Sequence, residues 1–254
     1  MNDFKTRLDL LEKMLGESKN IVFFSGAGVS TESGIKDFRS EDGLYNEKDE
    51  AFKDYPPEYL LSKDCLNHNP KVFYAFYKNK MDCRKYEPNV THLYVANLEK
   101  LGKEVSVVTQ NIDGLHTKAG SSKVYEIHGT TMKNYCVKCG KTFPLNYVFD
   151  CKESIPRCDK CGLKGMVRPN VTLYGEQLQS FKEATFAMES SDLCIVAGTS
   201  LNVYPAANLV SECKGKLVVV NREETFADSM ADLVFHESLG DVFGELTKRL
   251  ESNQ

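Results

Sequence analysis

Short apolar runs separated by amphipathic segments constrain the fold of this chain most strongly. Four runs have the length and composition of buried strands, at residues 21–24, 105–108, 193–197 and 217–220. Segments with helical periodicity surround them, at residues 3–17, 89–101, 177–190, 205–213 and 241–251. Strands that alternate with helices favour a parallel sheet covered by helices on both faces. We therefore predict an α/β fold whose ligands bind beyond the carboxyl ends of the strands.

Two insertions interrupt this alternation. Residues 36–88 are polar and rich in aromatic side chains, with a helix predicted from residue 70 to about residue 83. Residues 130–170 contain four cysteines at regular spacing and few long apolar runs. We predict that the two insertions form a small lobe beside the large one, with the ligand cleft between them.

Composition and charge argue against several classes of function. The 254 residues carry a net charge of −4 and a pI near 5.8, so we expect no nucleic-acid partner. No apolar run approaches the roughly 20 residues that span a bilayer, so we expect no membrane partner. The amino terminus lacks the layout of a secretory signal, and nine cysteines is an odd number. We expect a reducing, cytoplasmic location and a monomer.

Glycines and small polar residues follow three of the predicted strands. The turn at residues 25–28 lies between a strand and a helix start, where glycine lets backbone N–H groups approach a pyrophosphate. A purely structural turn is an equal alternative for these residues. Gly198, Thr199 and Ser200 end a second strand, and Asn221 ends a third. All of these residues should therefore lie at one edge of the sheet.

The segment TQNIDGLHTKAG at residues 109–120, followed by Ile127-His128-Gly129, contains candidate catalytic groups. It begins where the strand at residues 105–108 ends, and a second apolar stretch brings His128 to the same edge. One imidazole beside amide and carboxylate groups is a plausible general base. On spacing alone, a structural role for His128 is the more common case. We expect His116 on the following helix to be structural.

Two Cys-x-x-Cys pairs indicate a zinc site. Cys136 and Cys139 form the first pair, and Cys158 and Cys161 form the second, each followed by glycine. Four thiolates at this spacing close a tetrahedral zinc site and leave no position for water or substrate. The metal should therefore be structural. Cys151, between the pairs, is expected to be a bystander.

Taken in order along the chain, these segments resemble the sirtuin family of NAD-dependent protein-lysine deacylases. The resemblance rests on GAGVSTESGIKDFR at residues 26–39, the run at residues 109–120 with His128 and Gly129, the four cysteines, and Gly198-Thr199-Ser200-Leu201 with Asn221. It covers nearly the whole chain. It implies a Rossmann-like NAD-binding large domain formed by residues 1–35, 89–129 and 171–254. Residues 36–88 would supply the cofactor loop and the helical part of the small lobe, and residues 130–170 its zinc ribbon.

The family pattern implies NAD contacts for most of the candidate residues. The residues so implied are Gly26, Ala27, Gly28, Thr31, Asp37, Phe38, Arg39, Gln110, Asn111, Ile112, Asp113, His128, Gly198, Thr199, Ser200, Asn221 and, by a looser mapping, Asp241. Ile112 and Asp113 would hold the nicotinamide carboxamide. Lys36 stands where the family commonly has proline, which fixes φ. We therefore expect a more mobile cofactor loop.

The resemblance also implies protein-lysine deacetylation. The acyl group would pass to ADP-ribose as nicotinamide leaves, with His128 as general base and Asn111 holding ribose hydroxyls and water. Acetyl-lysine-containing proteins would insert as a strand along the substrate segments. The residues implied for this contact are Thr172, Leu173, Gly175, Glu176 and Val203. Tyr77 lies where succinyl- and malonyl-specific members have arginine, which favours neutral acyl groups; a packed helix face explains Tyr77 equally well.

Two other functions compete with deacetylation. Mono-ADP-ribosylation of a protein would use the same cofactor site and would leave ADP-ribose on protein rather than on acetate. A non-enzymatic zinc ribbon would bind nucleic acid or protein through Lys133, Lys138, Lys141 and Lys160. The acidic chain and the catalytic set favour the enzyme over the binding module.

Overall fold

A six-stranded parallel sheet lies at the centre of the computed structural model, which describes residues 3–38, 40, 43–47 and 49–252. Among these residues the strands are β1 (Asn20–Ser25), β2 (Glu104–Thr109), β3 (Val124–Glu126), β4 (Gly129–Cys136), β5 (Thr142–Pro144), β6 (Arg157–Cys158), β7 (Gly162–Val171), β8 (Leu193–Ala197), β9 (Lys216–Val220) and β10 (Leu233–Phe235). The large sheet has the order β10-β9-β8-β1-β2-β3. The predicted α/β fold with a parallel sheet is confirmed.

Helices cover both faces of this sheet. The described α-helices are α1 (Phe4–Glu17), α2 (Ala27–Thr31), α3 (Pro57–Leu60), α4 (Lys63–His68), α5 (Pro70–Lys80), α6 (Val90–Lys100), α7 (Leu115–Ala119), α8 (Asn146–Phe149), α9 (Phe181–Glu189) and α10 (Leu239–Ser252), with 3₁₀ helices at Ala206–Glu212 and Phe226–Met230. The helix predicted from residue 177 begins only at Phe181, after Ser180 in the left-handed region. None of the described helices is long and apolar enough to cross a membrane.

Alternate residues of each central strand supply two separate cores. In β1, Phe23 packs on one face with side chains of α1, α6 and α10, whereas Phe24 packs on the other face with α9 and the 3₁₀ helix Ala206–Glu212. Strands that are buried on both faces consist of continuous apolar runs, and for this reason their positions could be predicted from the sequence.

A smaller antiparallel sheet, in the order β5-β4-β7-β6, forms a second lobe with α3, α4, α5 and α8. Its core contains aromatic side chains of α5 and two of the cysteines, Cys136 and Cys158. The chain passes from β3 to β4 through His128 and returns from β7 through residues 172–176. The junction between the two lobes therefore lies beside His128.

The four central strands end at one edge of the large sheet. Ser25 at the end of β1 lies in register with Thr109 of β2 and with Ala197 of β8, and Ala197 lies in register with Val220 of β9. The predicted ligand segments all follow these four residues. The fold thus brings them together where open parallel sheets bind ligands.

Candidate active site

Three glycines bring two backbone segments into direct contact at this edge. The Gly26 N–H donates to the Ala197 carbonyl at 3.1 Å, and the Gly28 N–H donates to the Gly198 carbonyl at 2.8 Å. A Cβ atom on Gly28 would lie 2.8 Å from the Gly198 Cα. Gly198 itself has a φ of 57°, in the left-handed region that favours glycine. Glycine is therefore required for this close approach, and α2 begins directly above the strand ends.

Two amide side chains connect the ends of three strands. Gln110 donates through Nε2 to Thr199 Oγ1 at 3.0 Å. Asn111 donates through Nδ2 to the Gly26 carbonyl at 3.0 Å and to Ser30 Oγ at 3.1 Å. The segment after β2 is thereby fixed against both the glycine turn after β1 and the turn after β8. Both amides are half-buried, so they remain open to a ligand.

Asp113 is a buried carboxylate whose orientation is fixed by two donors. Ser30 Oγ donates to Oδ2 at 2.7 Å, and the Leu115 N–H donates to Oδ1 at 2.8 Å. Burial raises the pKa of the Asp113 carboxyl, an effect that these two hydrogen bonds oppose. The preceding carbonyl, of Ile112, accepts from the N–H of Thr131 at 2.9 Å and from its Oγ1 at 3.0 Å. Sequence analysis did not single out Ser30 or Thr131.

His128 is positioned through both its ring and its backbone. Its Nδ1 lies 2.9 Å from the Gln110 carbonyl oxygen, and its own carbonyl accepts from the Thr172 N–H at 2.7 Å. A carbonyl only accepts, so in the neutral imidazole Nδ1 carries the proton and Nε2 is the basic nitrogen. This tautomer is the one that a general base requires. His116 is buried instead, with Nε2 3.0 Å from Ser25 Oγ.

The remaining residues predicted to contact NAD differ in their hydrogen bonds and in their burial. Asp37 accepts from the Ser40 N–H, Thr31 Oγ1 donates to the Gly28 carbonyl, and Arg39 lies outside the described residues. Asn221 Nδ2 donates to the Glu223 carbonyl at the end of β9. Ala27 and Phe38 are half-buried and Ser200 is exposed.

Asp241 lies in the first turn of α10, where it exchanges hydrogen bonds with Ser238. Among the described residues, no hydrogen bond joins Asp241 to the glycines or the amides of the site. Ser238 caps the start of α10 by accepting from the Asp241 N–H, and the Asp241 carboxylate in turn accepts from the Ser238 hydroxyl.

The predicted substrate segment is held against the small lobe by a buried ion pair. Arg168 contacts both carboxylate oxygens of Glu176, with Nη1–Oε1 at 2.6 Å and Nη2–Oε2 at 3.0 Å. Glu176 also accepts from the Leu173 N–H at 3.0 Å, and Arg168 donates to the Val171 carbonyl at 2.8 Å. Gly175 adopts a φ of 89° within this turn. Arg168 is a further residue that sequence analysis missed.

Val203, the last predicted substrate residue, is half-buried, and its carbonyl accepts from the Ala207 N–H at 2.9 Å at the start of a 3₁₀ helix. Tyr204, which follows, is exposed. Val203 therefore lies on a loop whose backbone is only partly paired, as an edge that receives a strand must be.

Tyr77 lies in the core of the small lobe. Its ring stacks on Phe73 and Phe149, with centroids 5.8 and 5.3 Å apart. Its hydroxyl has no hydrogen-bond partner among the described residues. Tyr74, one turn earlier, is equally buried and donates to the Val167 carbonyl at 2.8 Å. The packed helix face considered from the sequence is what the structure contains here.

The four predicted cysteines form one cluster. The Sγ atoms of Cys136, Cys139, Cys158 and Cys161 all lie within 4.8 Å of one another. Tetrahedral zinc–sulfur bonds of about 2.3 Å require sulfur atoms roughly 3.8 Å apart, so the cluster fits zinc. Gly165 adjoins it, where a Cβ would lie 2.4 Å from Cys161 Cβ. The spacing of the cysteines predicted the cluster, whereas the need for Gly165 is visible only in the structure.

The fold and this arrangement define an α/β protein with a ligand site at the carboxyl edge of a parallel sheet and a separate four-cysteine lobe. A sequence model of the Sir2 family matches residues 26–205. The NAD-dependent protein deacetylase of Clostridium acetobutylicum is 48% identical over 239 residues, which cover 93% of this chain and 96% of that protein. The corresponding protein of Cutibacterium acnes is 48% identical over 233 residues, or 91% and 93% of the two chains. The chain belongs to the Sir2 family.

Solved structures agree with this assignment. A Sir2 complex with a p53 peptide and NAD⁺ superimposes with a TM-score of 0.83 at 34% identity, covering 96% of this chain and 98% of that one. A Sir2 bound to a propionylated peptide gives a TM-score of 0.83 at 34% identity, with the same coverage. The predicted family is confirmed by sequence and by structure.

Proposed function

We propose that this NAD-dependent protein deacetylase transfers the acetyl group of an acetylated lysine to ADP-ribose, with His128 as the general base. The observation that carries the proposal is the hydrogen bond from His128 Nδ1 to the Gln110 carbonyl. It leaves Nε2 as a proton acceptor at the edge where the strands end. NAD, when bound, supplies the nicotinamide leaving group and the ADP-ribose acceptor.

The residues around His128 suit the parts of NAD. Close packing of the backbone at Gly26, Gly28 and Gly198 sets the start of α2 over the strand ends, where backbone N–H groups can receive a pyrophosphate. Asp113, held by Ser30 and Leu115, can accept from the carboxamide N–H₂ without moving. Asn111 can orient ribose hydroxyls and water beside His128. The four cysteines would hold zinc in a purely structural role, because no coordination position remains.

We further propose that acetyl-lysine-containing proteins bind as a strand between residues 172–176 and Val203. Support comes from the connection of Thr172 to His128, which places the peptide edge one hydrogen bond from the base. The solved Sir2 complex with a p53 peptide is a precedent for a peptide substrate. Reduced thiolates at the zinc site favour a cytoplasmic compartment. A monomeric state stays a prediction.

We propose a preference for neutral acyl groups over succinyl. The position where succinyl-specific relatives have arginine is occupied by Tyr77, whose buried neutral ring cannot pair a carboxylate. The nearby Arg168 is already engaged by Glu176. A succinyl-lysine peptide should therefore be turned over at least about tenfold less efficiently than its acetyl counterpart, since an unpaired buried charge costs more than 1.4 kcal/mol. Equal kcat/KM values for the two peptides would contradict this preference.

The principal test is a coupled measurement of nicotinamide and deacetylated peptide after incubation with NAD and an acetyl-lysine peptide. One-to-one release, abolished in His128→Ala, is the expected result. His68→Ala is the matched control, because that histidine is exposed on α4 and its ring pairs with Asp64 of the same helix. Consumption of NAD without deacetylation, with ADP-ribose recovered on protein, would support mono-ADP-ribosylation instead.

A further inference from the structure

An ion-pair network closes the base of the segment that carries Asp37 and Phe38. Lys36 Nζ lies 2.6 Å from Glu47 Oε1, and Lys80 Nζ lies 2.7 Å from Glu47 Oε2. Lys36 and Glu47 are the two ends of residues 36–47, here called the cofactor loop. Lys80 belongs to α5 of the small lobe and also contacts Asp49 at 3.1 Å. Glu47 therefore joins both ends of the loop to a rigid helix.

Two backbone hydrogen bonds lie immediately inside these ion pairs. The Leu44 N–H donates to the Asp37 carbonyl at 2.8 Å, and the Tyr45 N–H donates to the Phe38 carbonyl at 3.0 Å. The rings of Phe38 and Tyr45 are in contact, with centroids 5.3 Å apart. Tyr45 Oη also lies 3.2 Å from Tyr174 Oη in the substrate segment. The conformation of Asp37 and Phe38 therefore depends on residues 37–38 staying hydrogen-bonded to residues 44–45.

At Glu47 and Lys80 the network is more enclosed than an ordinary surface ion pair, whereas the side chain of Lys36 is 53% exposed. The side chain of Glu47 is 26% exposed and that of Lys80 is 16% exposed. Hydrogen bonds from Lys36 and Lys80 lower the pKa of Glu47 below its ordinary value of 4.5. Both carboxylate oxygens have a cationic partner, so Glu47 is charged and fully paired at neutral pH.

We propose that Lys36, Glu47 and Lys80 form an electrostatic clasp that positions Asp37 and Phe38 for NAD. The proposal rests on the proposed function. Other family members commonly have proline at the position of Lys36, and proline fixes the backbone covalently. In this chain an ion pair supplies the constraint, which is the opposite of the mobile loop expected from the loss of proline. The three residues act by positioning and are not catalytic.

The clasp differs from proline in its sensitivity to salt, and this difference provides the test. Calorimetry would measure the Kd for NAD without peptide at low and high NaCl. At low salt, Lys36→Ala and Glu47→Gln should weaken binding about 2- to 5-fold, the range for a partly exposed ion pair. At about 1 M salt, where the Debye length is about 3 Å, the wild type should weaken to the same value as the variants.

Lys36→Pro is the discriminating variant. Among the described residues the Lys36 N–H has no hydrogen-bond acceptor, so proline removes no bond. This variant should bind NAD like the wild type at low salt and should keep that affinity at high salt. Glu50→Gln is the matched control, because exposed Glu50 pairs with Lys53 within the same turn and, among the described residues, does not join the loop ends. It should leave the Kd unchanged.

Hydrogen exchange at the Leu44 and Tyr45 amides gives a second readout that needs no bound NAD. Exchange should accelerate in Lys36→Ala and Glu47→Gln and stay slow in Lys36→Pro. Unchanged Kd and exchange in the first two variants would overturn the clasp, as would a salt dependence of Lys36→Pro equal to that of the wild type. A wild-type protein that neither binds NAD nor deacetylates would instead overturn the proposed function.

Discussion

Replacing Arg168 with methionine should destabilise the small lobe and weaken peptide binding while leaving NAD binding intact. Arg168 donates two hydrogen bonds to Glu176 and one each to the Val171 and Pro169 carbonyls, and its side chain is only 10% exposed. Methionine keeps most of the apolar volume but leaves the Glu176 carboxylate without its cation. The loss therefore falls on the ion pair rather than on packing.

The magnitude follows from the burial of the pair. Removing one partner of a buried ion pair costs about 3–5 kcal/mol, because the remaining charge is left unpaired. Glu176 is 20% exposed and keeps the Leu173 N–H as a donor, so part of its charge stays solvated. We expect a loss of about 2–4 kcal/mol in the free energy of unfolding. For a chain of this size that corresponds to a fall in Tm of roughly 5–12 °C.

Urea unfolding, zinc content and the two substrate affinities together measure this effect. The KM for an acetyl-lysine peptide should rise, because Glu176 without its cation no longer fixes residues 172–176 against the small lobe, whereas the Kd for NAD should not change. Glu87→Gln is the control, since its pair with Lys118 is exposed and should be worth less than about 1 kcal/mol.

A double variant distinguishes the effect of the unpaired charge on stability from the effect of the altered side-chain shape. Arg168→Met with Glu176→Leu removes both charges and should recover most of the lost stability, as apolar replacements of buried ion pairs do. Peptide binding should stay weak, because Glu176→Leu also removes the acceptor of the Leu173 N–H. A loss of stability below about 1 kcal/mol in Arg168→Met, or a double variant less stable than it, would refute the reasoning.

Two further predictions concern the cysteines and the buried histidines. Cys136→Ser should lower the zinc content measured by atomic absorption and abolish the near-UV signal of the small lobe; a fully folded variant with one zinc per chain would contradict the assignment. Burial lowers the pKa of His92 to about 4 and that of His116 well below its ordinary value of 6.5. The unfolded chain therefore binds protons that the folded chain excludes, so stability is complete above pH 6.5 and declines as the pH falls toward 4. Urea unfolding at pH 7.5 and 5.0 measures this decline, which should be smaller in His92→Leu.

The strands of the large sheet and the cysteine cluster could be predicted from the sequence, because each depends on residues that are close together in the chain. The strands of the large sheet are buried on both faces, so each appears as an uninterrupted apolar run. The zinc cluster follows from cysteine spacing, because a tight knuckle places two thiolates on one ion. The predicted boundaries of α9 and α10 were less accurate. Helical periodicity reports neither the left-handed conformation of Ser180 before α9 nor the cap that Ser238 forms at the start of α10.

Contacts between distant segments were not predictable in the same way. Ser30 and Asp113 are 83 residues apart along the chain, and Cys83 and Thr131 are 48 apart, yet each pair is hydrogen-bonded in the structure. Nothing in the local sequence marks Ser30 as the residue that orients a carboxylate. The resemblance to the family supplied the list of site residues, and the structure supplied the contacts that hold them.

Tyr77 has two explanations, one from its position in the sequence and one from its packing in the core of the small lobe. Position along the chain placed it where an arginine meets an acyl carboxylate, whereas the structure stacks its ring between Phe73 and Phe149. An arginine at this position would have to bury its guanidinium among these rings or turn toward the cleft to find an anion. The neutral Tyr77 ring, stacked on Phe73 and Phe149, needs no anionic partner. The proposed preference for neutral acyl groups would therefore follow from how the small lobe packs its core, rather than from a group that contacts the acyl chain.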